Sequence, residues 1–187
     1  LNDGKHPQDE LALVQRAKAG DRQAYGELVH RHRQGVVNVV YRLCGDPELA
    51  EDMAQEAFIR AWQKLNSYQP RAPFRNWLYR IASNLTLDSL RREKATVDIS
   101  DLPLAAAGEG LEQAVENLER AEIVRSAIQN LPPASRTVLV LREYEGLSYQ
   151  AISDTLDIPI GTVMSRLNYA RKSLAKLLMP TMDKETA

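Results

Sequence analysis

The sequence predicts an all-α fold of two small helical domains joined by an acidic flexible linker, and three observations predict it. Apolar residues recur at helical spacing through most of the chain, and no stretch alternates as a half-buried strand does. Stop and start signals such as Gly20-Asp21, Gly45-Asp46-Pro47 and Gly146-Leu147-Ser148 punctuate it at ordinary helix lengths. Across 96–110 the pattern breaks, with Pro103, Gly108, Gly110 and an alanine run that read as a tether. The expected boundaries are 1–95 for the first domain, 96–111 for the linker and 112–187 for the second.

The bulk numbers exclude several function classes. At 187 residues the chain holds one large domain or two small ones. Its formal net charge of −1 makes no whole-chain case for nucleic-acid binding, so the distribution of charge must carry that case. A single cysteine, Cys44, excludes an internal disulfide framework and a cysteine-based zinc site, and its place at the end of an apolar stripe predicts a buried thiol. No apolar run is long enough to span a bilayer and no signal-peptide pattern opens the chain. The expectation is a soluble, cytoplasmic protein without direct membrane insertion.

The helices follow in order. Asp9 or Glu10 starts a first helix over Leu11, Leu13, Val14 and Ala17, ended by Gly20. Asp21 caps a second, in which Tyr25, Leu28, Val29, Val36, Val39, Val40 and Leu43 supply the apolar face and Gly45 the C-cap. Asp46-Pro47-Glu48 is a strong restart, with Asp at the N-cap, Pro at N1 and acid in the first turn. This third helix runs to about Leu65, and Asn66–Ala72 is a loop. Pro73 begins a fourth reaching about Arg92, with Phe74, Trp77, Leu78, Ile81 and Leu85 as its core stripe. After the break, helices are expected over Leu111–Asn130 and Val138–Tyr144.

The last helical pair is the most informative. Ser148 is a good N-cap, Ala151, Ile152 and Leu156 follow at helical spacing, and Asp157-Ile158-Pro159 stops the helix. Gly161-Thr162 opens a longer helix to about Leu178, with Val163, Leu167, Ala170, Leu174, Leu177 and Leu178 inward. Met164, Ser165, Asn168, Tyr169 and Lys172 point outward, with Arg166 and Arg171 on the flanks. No acid occurs in this helix before Pro180. A basic, acid-free outer face on the second helix of such a pair suits a DNA major groove. The alternative is an ordinary pair of core helices with a solvated cationic face.

Two further faces carry chemistry. Opposite the core stripe of the fourth helix, Asn76, Arg80, Ser83, Asn84, Arg91 and Lys94 share one arc, in a segment with six bases against two acids. Guanidinium groups hold phosphates, amides hydrogen-bond base edges, and an aromatic such as Tyr68 stacks on an unpaired base. A solvated helix whose aromatics are all core is the competing reading. The third helix has the opposite charge, with no base between Asp46 and Arg60. Asp52, Gln55 and Glu56 lie on one face, more acid than the helix dipole needs, which suggests a protein partner with a basic surface.

Enzyme chemistry has little support, and no cofactor or metal is expected. The chain has no HExxH, no phosphate-binding glycine loop and no nucleophile elbow. His30 and His32, two residues apart, diverge on a helix and are expected to be solvated.

Asp52-Met53-Ala54-Gln55-Glu56-Ala57-Phe58-Ile59-Arg60-Ala61-Trp62 and Pro73-Phe74-Arg75-Asn76-Trp77-Leu78-Tyr79-Arg80-Ile81-Ala82-Ser83-Asn84 resemble region 2 of bacterial sigma factors of the extracytoplasmic-function (ECF) type, in the sigma-70 family. Leu131-Pro132-Pro133, Val138–Arg142, Gly146–Tyr149 and Pro159–Leu167 resemble their region 4. The resemblance covers about 10–95 and 112–178, in order. It implies a transcription-initiation subunit of RNA polymerase with no catalysis of its own.

By that resemblance Asp52, Gln55 and Glu56 dock on the clamp helices of the largest polymerase subunit. Asn66, Ser67, Tyr68, Asn76, Arg80, Asn84 and Arg91 open the −10 element and hold an extruded base of the non-template strand. Extrusion costs a few kcal/mol of stacking, roughly, which a shaped pocket must recover. Thr162, Met164, Ser165, Arg166, Asn168, Tyr169 and Arg171 read the −35 element. The acidic linker, with seven acids against one base from Asp98 to Glu122, follows the RNA path.

A dedicated anti-sigma factor is also implied, often membrane-bound and then holding the protein at the inner membrane; the free chain is expected to be a monomer. Met164 departs from the pattern, because many relatives carry Arg or Lys there. Met cannot make the bidentate Arg–guanine contact, so −35 readout is expected to lean on Ser165, Arg166, Tyr169, Arg171 and DNA shape. The runner-up reading is a two-domain helix-turn-helix regulator that binds DNA without being a polymerase subunit.

Overall fold

The computed structural model describes the backbone of residues 7–96 and 112–182 and the side chains of 9–92 and 121–178. The linker expected over 96–111 lies, from residue 97 on, outside the described residues, as does the Lys94 side chain. Among the described residues every regular element is a helix: α1 (Pro7–Lys18), α2 (Arg22–Cys44), α3 (Pro47–Lys64), a 3-10 turn (Leu65–Ser67), α4 (Phe74–Thr96), α5 (Glu112–Gln129), α6 (Pro133–Glu143), α7 (Tyr149–Leu156) and α8 (Ile160–Met182).

The ends form as their residues dictate. The Asp21 carboxylate accepts from the Gln23 and Ala24 amides at 2.9 and 3.0 Å, satisfying two orphan donors of α2. Asp46 repeats the arrangement on Glu48 and Leu49, with Pro47 at N1, and Ser148 Oγ accepts from the Ala151 amide. Gly45 closes α2 at φ 80°, a left-handed conformation that glycine adopts without a Cβ clash. Asp157 closes α7 at φ 56°, the one non-glycine residue with positive φ among those described.

The expected start of α6 at Val138 is corrected: the helix begins at Pro133. Proline is favoured at N1, where its missing amide hydrogen costs nothing. The polar run Ser135-Arg136-Thr137 hid that first turn, yet all three residues are buried.

α2, α3 and α4 pack on one another, with α1 laid across α2. Leu28, Val36, Val39, Val40 and Leu43 of α2 meet Phe74, Leu78, Ala82 and Leu85 of α4. The inward side of α3 is nearly all alanine, with Ala50, Ala54, Ala57 and Ala61 buried beside Phe58, so α3 sits close to its neighbours. In the C-terminal group α8 packs on α5, α6 and α7 around Val138, Leu141, Ile152, Val163, Leu167 and Ala170. Each large aliphatic side chain buried in this way contributes about 1.5–3 kcal/mol. Leu177, expected inward, is 44% exposed.

The two groups touch. α5 and α6 contact α2, and α6 and α7 contact α4, so that buried residues of both groups form one contiguous cluster.

Candidate functional site

Three surfaces gather the residues singled out by sequence. On the first, Asp52 and Gln55 are exposed on α3, while Glu56 is half-exposed and accepts from Arg60 Nε at 2.7 Å. Gln55 also lines an open groove of about 560 Å³ between α2 and α3, whose charged lining is Glu51 with Arg22 and Arg33. Its floor and walls include Tyr25, Val29, Phe58, Ile59 and Trp62. Tyr25 and Trp62 pack with tilted rings, 4.7 Å between centroids, and the Tyr25 hydroxyl donates to the Phe58 carbonyl at 2.5 Å. Burial pushes the Tyr25 phenol well above its ordinary pKa, so it stays a neutral donor.

Charge reasoning missed the apolar half of this surface. Ile59 and Trp62 are 46% and 36% exposed, on the face that carries Asp52, Gln55 and Glu56. A signal was available: a helix that turns alanines inward leaves its large apolar residues outside, where they mark a contact surface.

The second surface is α4 with the preceding loop. Asn66, Ser67, Asn84 and Arg91 are exposed, and Ser67 Oγ donates to the Lys64 carbonyl at 2.7 Å. Arg91 lies 3.4 Å from Asp88. Arg80 donates to the Asp157 carboxylate at 3.0 Å.

The expected outward placement of Tyr68 is corrected. Tyr68 is 5% exposed, edge-on to Phe74 at 5.3 Å and 5.3 Å from Trp77, with its hydroxyl on the Ala72 carbonyl. Lys18 Nζ donates to the Tyr68 carbonyl, so the ring closes the loop onto the core instead of presenting a stacking platform. Asn76 is corrected in the same sense: it is 5% exposed and its Oδ1 accepts no hydrogen bond. Ser83, on the same arc, is fully buried.

The third surface is the outer face of α8. Met164 and Tyr169 are 53% and 52% exposed, and Ser165 and Asn168 are exposed with them. Thr162 and Arg166 are half-buried at its edge. Arg171 is held in a salt bridge to Glu143 of α6 at 2.7 Å, which raises its pKa and fixes its direction. The first turn of α8 carries no acid, so its positive dipole end is uncompensated.

The histidines divide rather than pair. His30 is exposed, whereas His32 is half-buried and hydrogen-bonded to Glu10 at 2.9 Å, which corrects its expected solvation. Cys44 is half-buried, with its Sγ against the Asp46 carbonyl. No helix among the described residues is long and apolar enough to cross a membrane.

Comparison with known proteins bears on all three surfaces. Residues 28–96 match the family model of Sigma-70 region 2, which spans the α3 and α4 surfaces. Residues 121–174 match that of Sigma-70, region 4, which contains the helix-turn-helix. The chain is 36% identical over 178 residues to the ECF RNA polymerase sigma factor SigW of Bacillus subtilis, covering 88% of this chain and 94% of that one. It is 35% identical over 179 residues to the ECF RNA polymerase sigma-E factor of Escherichia coli K12, covering 90% and 93%.

Among solved structures, CnrH in complex with the cytosolic domain of CnrY superposes with a TM-score of 0.70 at 28% identity, covering 92% of this chain and 98% of that one. The sigma factor RpoE of Bartonella quintana, solved with the anti-sigma factor NepR, shares the fold with a TM-score of 0.64 at 22% identity, covering 83% and 96%. Both family regions are present in order, over nearly the full length of the relatives: the chain belongs to the ECF RNA polymerase sigma factors.

Proposed function

We propose that this sigma factor binds core RNA polymerase through the α2–α3 face and directs it to promoters by reading a −35 element with α8 and opening a −10 element with α4 and the 66–72 loop. The observation that carries the proposal is the composite face of α3. An apolar groove open to solvent, lined by Ile59, Trp62, Glu51 and Gln55, on a helix that also exposes Asp52, is what a stable contact with a helical, basic partner needs. The basic clamp helices of the largest polymerase subunit are that partner.

Duplex DNA is assigned to α8. Its outer face offers Met164, Ser165, Asn168 and Tyr169 to base edges, with Arg166 and Arg171 flanking for phosphates. The non-template single strand is assigned to Arg80, Asn84 and Arg91 on α4 with Asn66 and Ser67 of the loop. Tyr68 and Asn76 join them only once the loop and the packed face of α4 open. Residues 1–95 and 112–187 act as the two units, with 96–111 as the connection between them.

The protein does no catalysis of its own, acts in the cytoplasm as a monomer when free, and is restrained by an anti-sigma factor. CnrH, whose fold and arrangement it shares, is solved with the cytosolic domain of CnrY.

Reconstituted transcription tests this reading. Purified chain and sigma-free core polymerase, on sheared genomic DNA, are expected to give discrete new start sites sharing two upstream motifs. Asp52→Ala/Glu56→Ala is expected to weaken every start together. Absence of starts, while the chain alone binds duplex DNA, overturns the docking assignment.

A further inference from the structure

We propose that α1 is a positioning element for promoter opening: Lys18 and Glu10 hold the two ends of the 68–74 stretch, so that this helix sets how selectively the loop takes the −10 strand. The role rests on the assignment of that loop and of α4 to the strand, and adds what fixes their geometry. α1 lies outside residues 28–96, which match the region 2 model, and no surface described above includes it.

α1 is itself firmly seated. Leu13, Val14 and Ala17 are buried in the core. Asp9 pairs with Arg31 of α2 at 3.0 Å, and Glu10 accepts from His32 at 2.9 Å. From this seat the helix reaches both ends of the loop. At one end Lys18 Nζ donates to the Tyr68 carbonyl at 2.6 Å and lies 5.7 Å from the centre of that ring. At the other end the residue before α4 is Pro73, whose side chain offers no acceptor to cap the helix. Glu10 supplies the acceptor from another helix, because the amide of Phe74, the first residue of α4, reaches its carboxyl.

Between these two points the loop is not packed onto α1. An open cleft of about 1090 Å³ lies there, lined by Leu11 and Val14 of α1 and by Pro70, Arg71 and Pro73 of the loop. Polar contacts at its ends therefore register the loop.

The contacts suit a working loop. Lys18 grips a main-chain carbonyl, so the Tyr68 side chain can turn outward while the loop backbone stays in place. Glu10 holds the start of the helix whose later turns carry Arg80 and Asn84. Asn66 and Ser67 stand immediately before the Lys18 contact. Loop and helix are thus referred to one support. An extruded base needs that fixed spacing, since a misplacement of roughly 1 Å weakens several contacts at once.

The test uses reconstituted holoenzyme and a promoter taken from the start-site mapping, in a template whose −10 segment is already unpaired. Affinity is measured for the native template and for one with a substituted −10 base, and their ratio is read. A partly unfolded protein loses binding to both templates alike, so the ratio moves only with the shape of the site. Lys18→Met keeps the aliphatic stem and removes the donor, and Glu10→Ala removes the cap. Each is expected to narrow the ratio about fivefold, as a charged hydrogen bond that registers the loop is lost. Lys18→Arg, which keeps a donor, is expected to retain most of it.

Hydrogen exchange on the full chain without polymerase gives a second measure. The Tyr68 and Phe74 amides are expected to exchange about tenfold faster in Lys18→Met and Glu10→Ala respectively, a larger change than at Val39 and Val40. Ratios equal to the parent's in both variants overturn the positioning role, whatever the exchange shows. If Asn66→Ala and Asn84→Ala narrow the ratio in that case, the −10 assignment stands and α1 is only a structural cover. If they too leave it unchanged, the assignment falls with the role.

Discussion

Arg136 of α6 donates a hydrogen bond to the main-chain carbonyl of Leu43, the penultimate residue of α2, joining the two helical groups through a guanidinium that is 7% exposed. The same group reaches the Gln129 carbonyl, the Gln129 side chain at 2.6 Å and the Leu131 carbonyl at 3.0 Å. It therefore satisfies the last carbonyls of α2 and α5 together, where helix ends leave acceptors unpaired. Burial lowers its pKa, yet the two terminal nitrogens of a fixed fork serve this web as an ammonium could not, while Nε is buried without a partner.

Arg136→Met is expected to destabilise the protein by about 2–4 kcal/mol, because three carbonyls lose their donor in a buried site. Arg136→Lys is expected to recover less than half of the loss. Urea unfolding of the three proteins checks this, and a change in Arg136→Met within about 0.5 kcal/mol of zero removes Arg136 as the joint.

Gly35, in the middle of α2, leaves room for Tyr79: a Cβ there would lie 2.9 Å from the phenol oxygen. Gly35→Ala gains about 1 kcal/mol of helix propensity and pushes Tyr79 off Glu145. Global stability is expected to change by less than about 1 kcal/mol. The distance between spin labels placed at the exposed Gln63 and Lys172, read by pulsed EPR, is expected to lengthen as the Tyr79–Glu145 hydrogen bond between the two helical groups is lost. If Gly35→Ala is stabilised and that distance is unchanged, the ring has another way to yield.

The hydrogen bond from His32 holds the Glu10 carboxyl below its ordinary value of 4.5 and ties α1 to α2. A depressed carboxyl stabilises the fold fully above 4.5, and that contribution fades as pH falls through the lower folded value. Glu10→Gln is expected to narrow the difference in urea midpoint between pH 7 and the acid range below that value. Parallel pH curves for the two proteins would exclude the linkage.

Met164 stands exposed in the first turns of α8, where an apolar side chain can meet a thymine methyl but cannot pair with guanine. Met164→Arg is expected to shift −35 preference toward guanine at one position, with about 1–3 kcal/mol of discrimination. Start-site mapping with the reconstituted holoenzyme reads the shift. Unchanged promoter choice would place Met164 away from the bases.

Local chemistry made most of the fold legible. Asp21, Asp46 and Ser148 cap the helices they were expected to cap, and Gly45 takes the left-handed turn. The outer face of α8 stands where helical spacing put it. Periodicity says which side of a helix leaves its own core, but not what a second unit lays over that side. For this reason Asn76 and Ser83 looked solvent-facing and are covered. Tyr68 misled differently: an aromatic in a polar loop reads as a platform, but Phe74 and Trp77 draw it inward. Arg136 was invisible, because a lone Arg in the first turn of a helix gives no sign that three carbonyls will surround it.

The two tryptophans of the chain sit on different working surfaces. Trp62 walls the α2–α3 groove against Tyr25, and Trp77 packs on Tyr68 and Phe74 behind the loop. Intrinsic emission therefore divides by place. Occupation of the groove dries Trp62 and blue-shifts its band, whereas swinging Tyr68 out of the loop uncovers Trp77 and red-shifts that one. Trp62→Phe and Trp77→Phe, each leaving a single emitter, give stopped-flow signals for docking and for loop opening, so the order of the two steps can be timed in unlabelled protein.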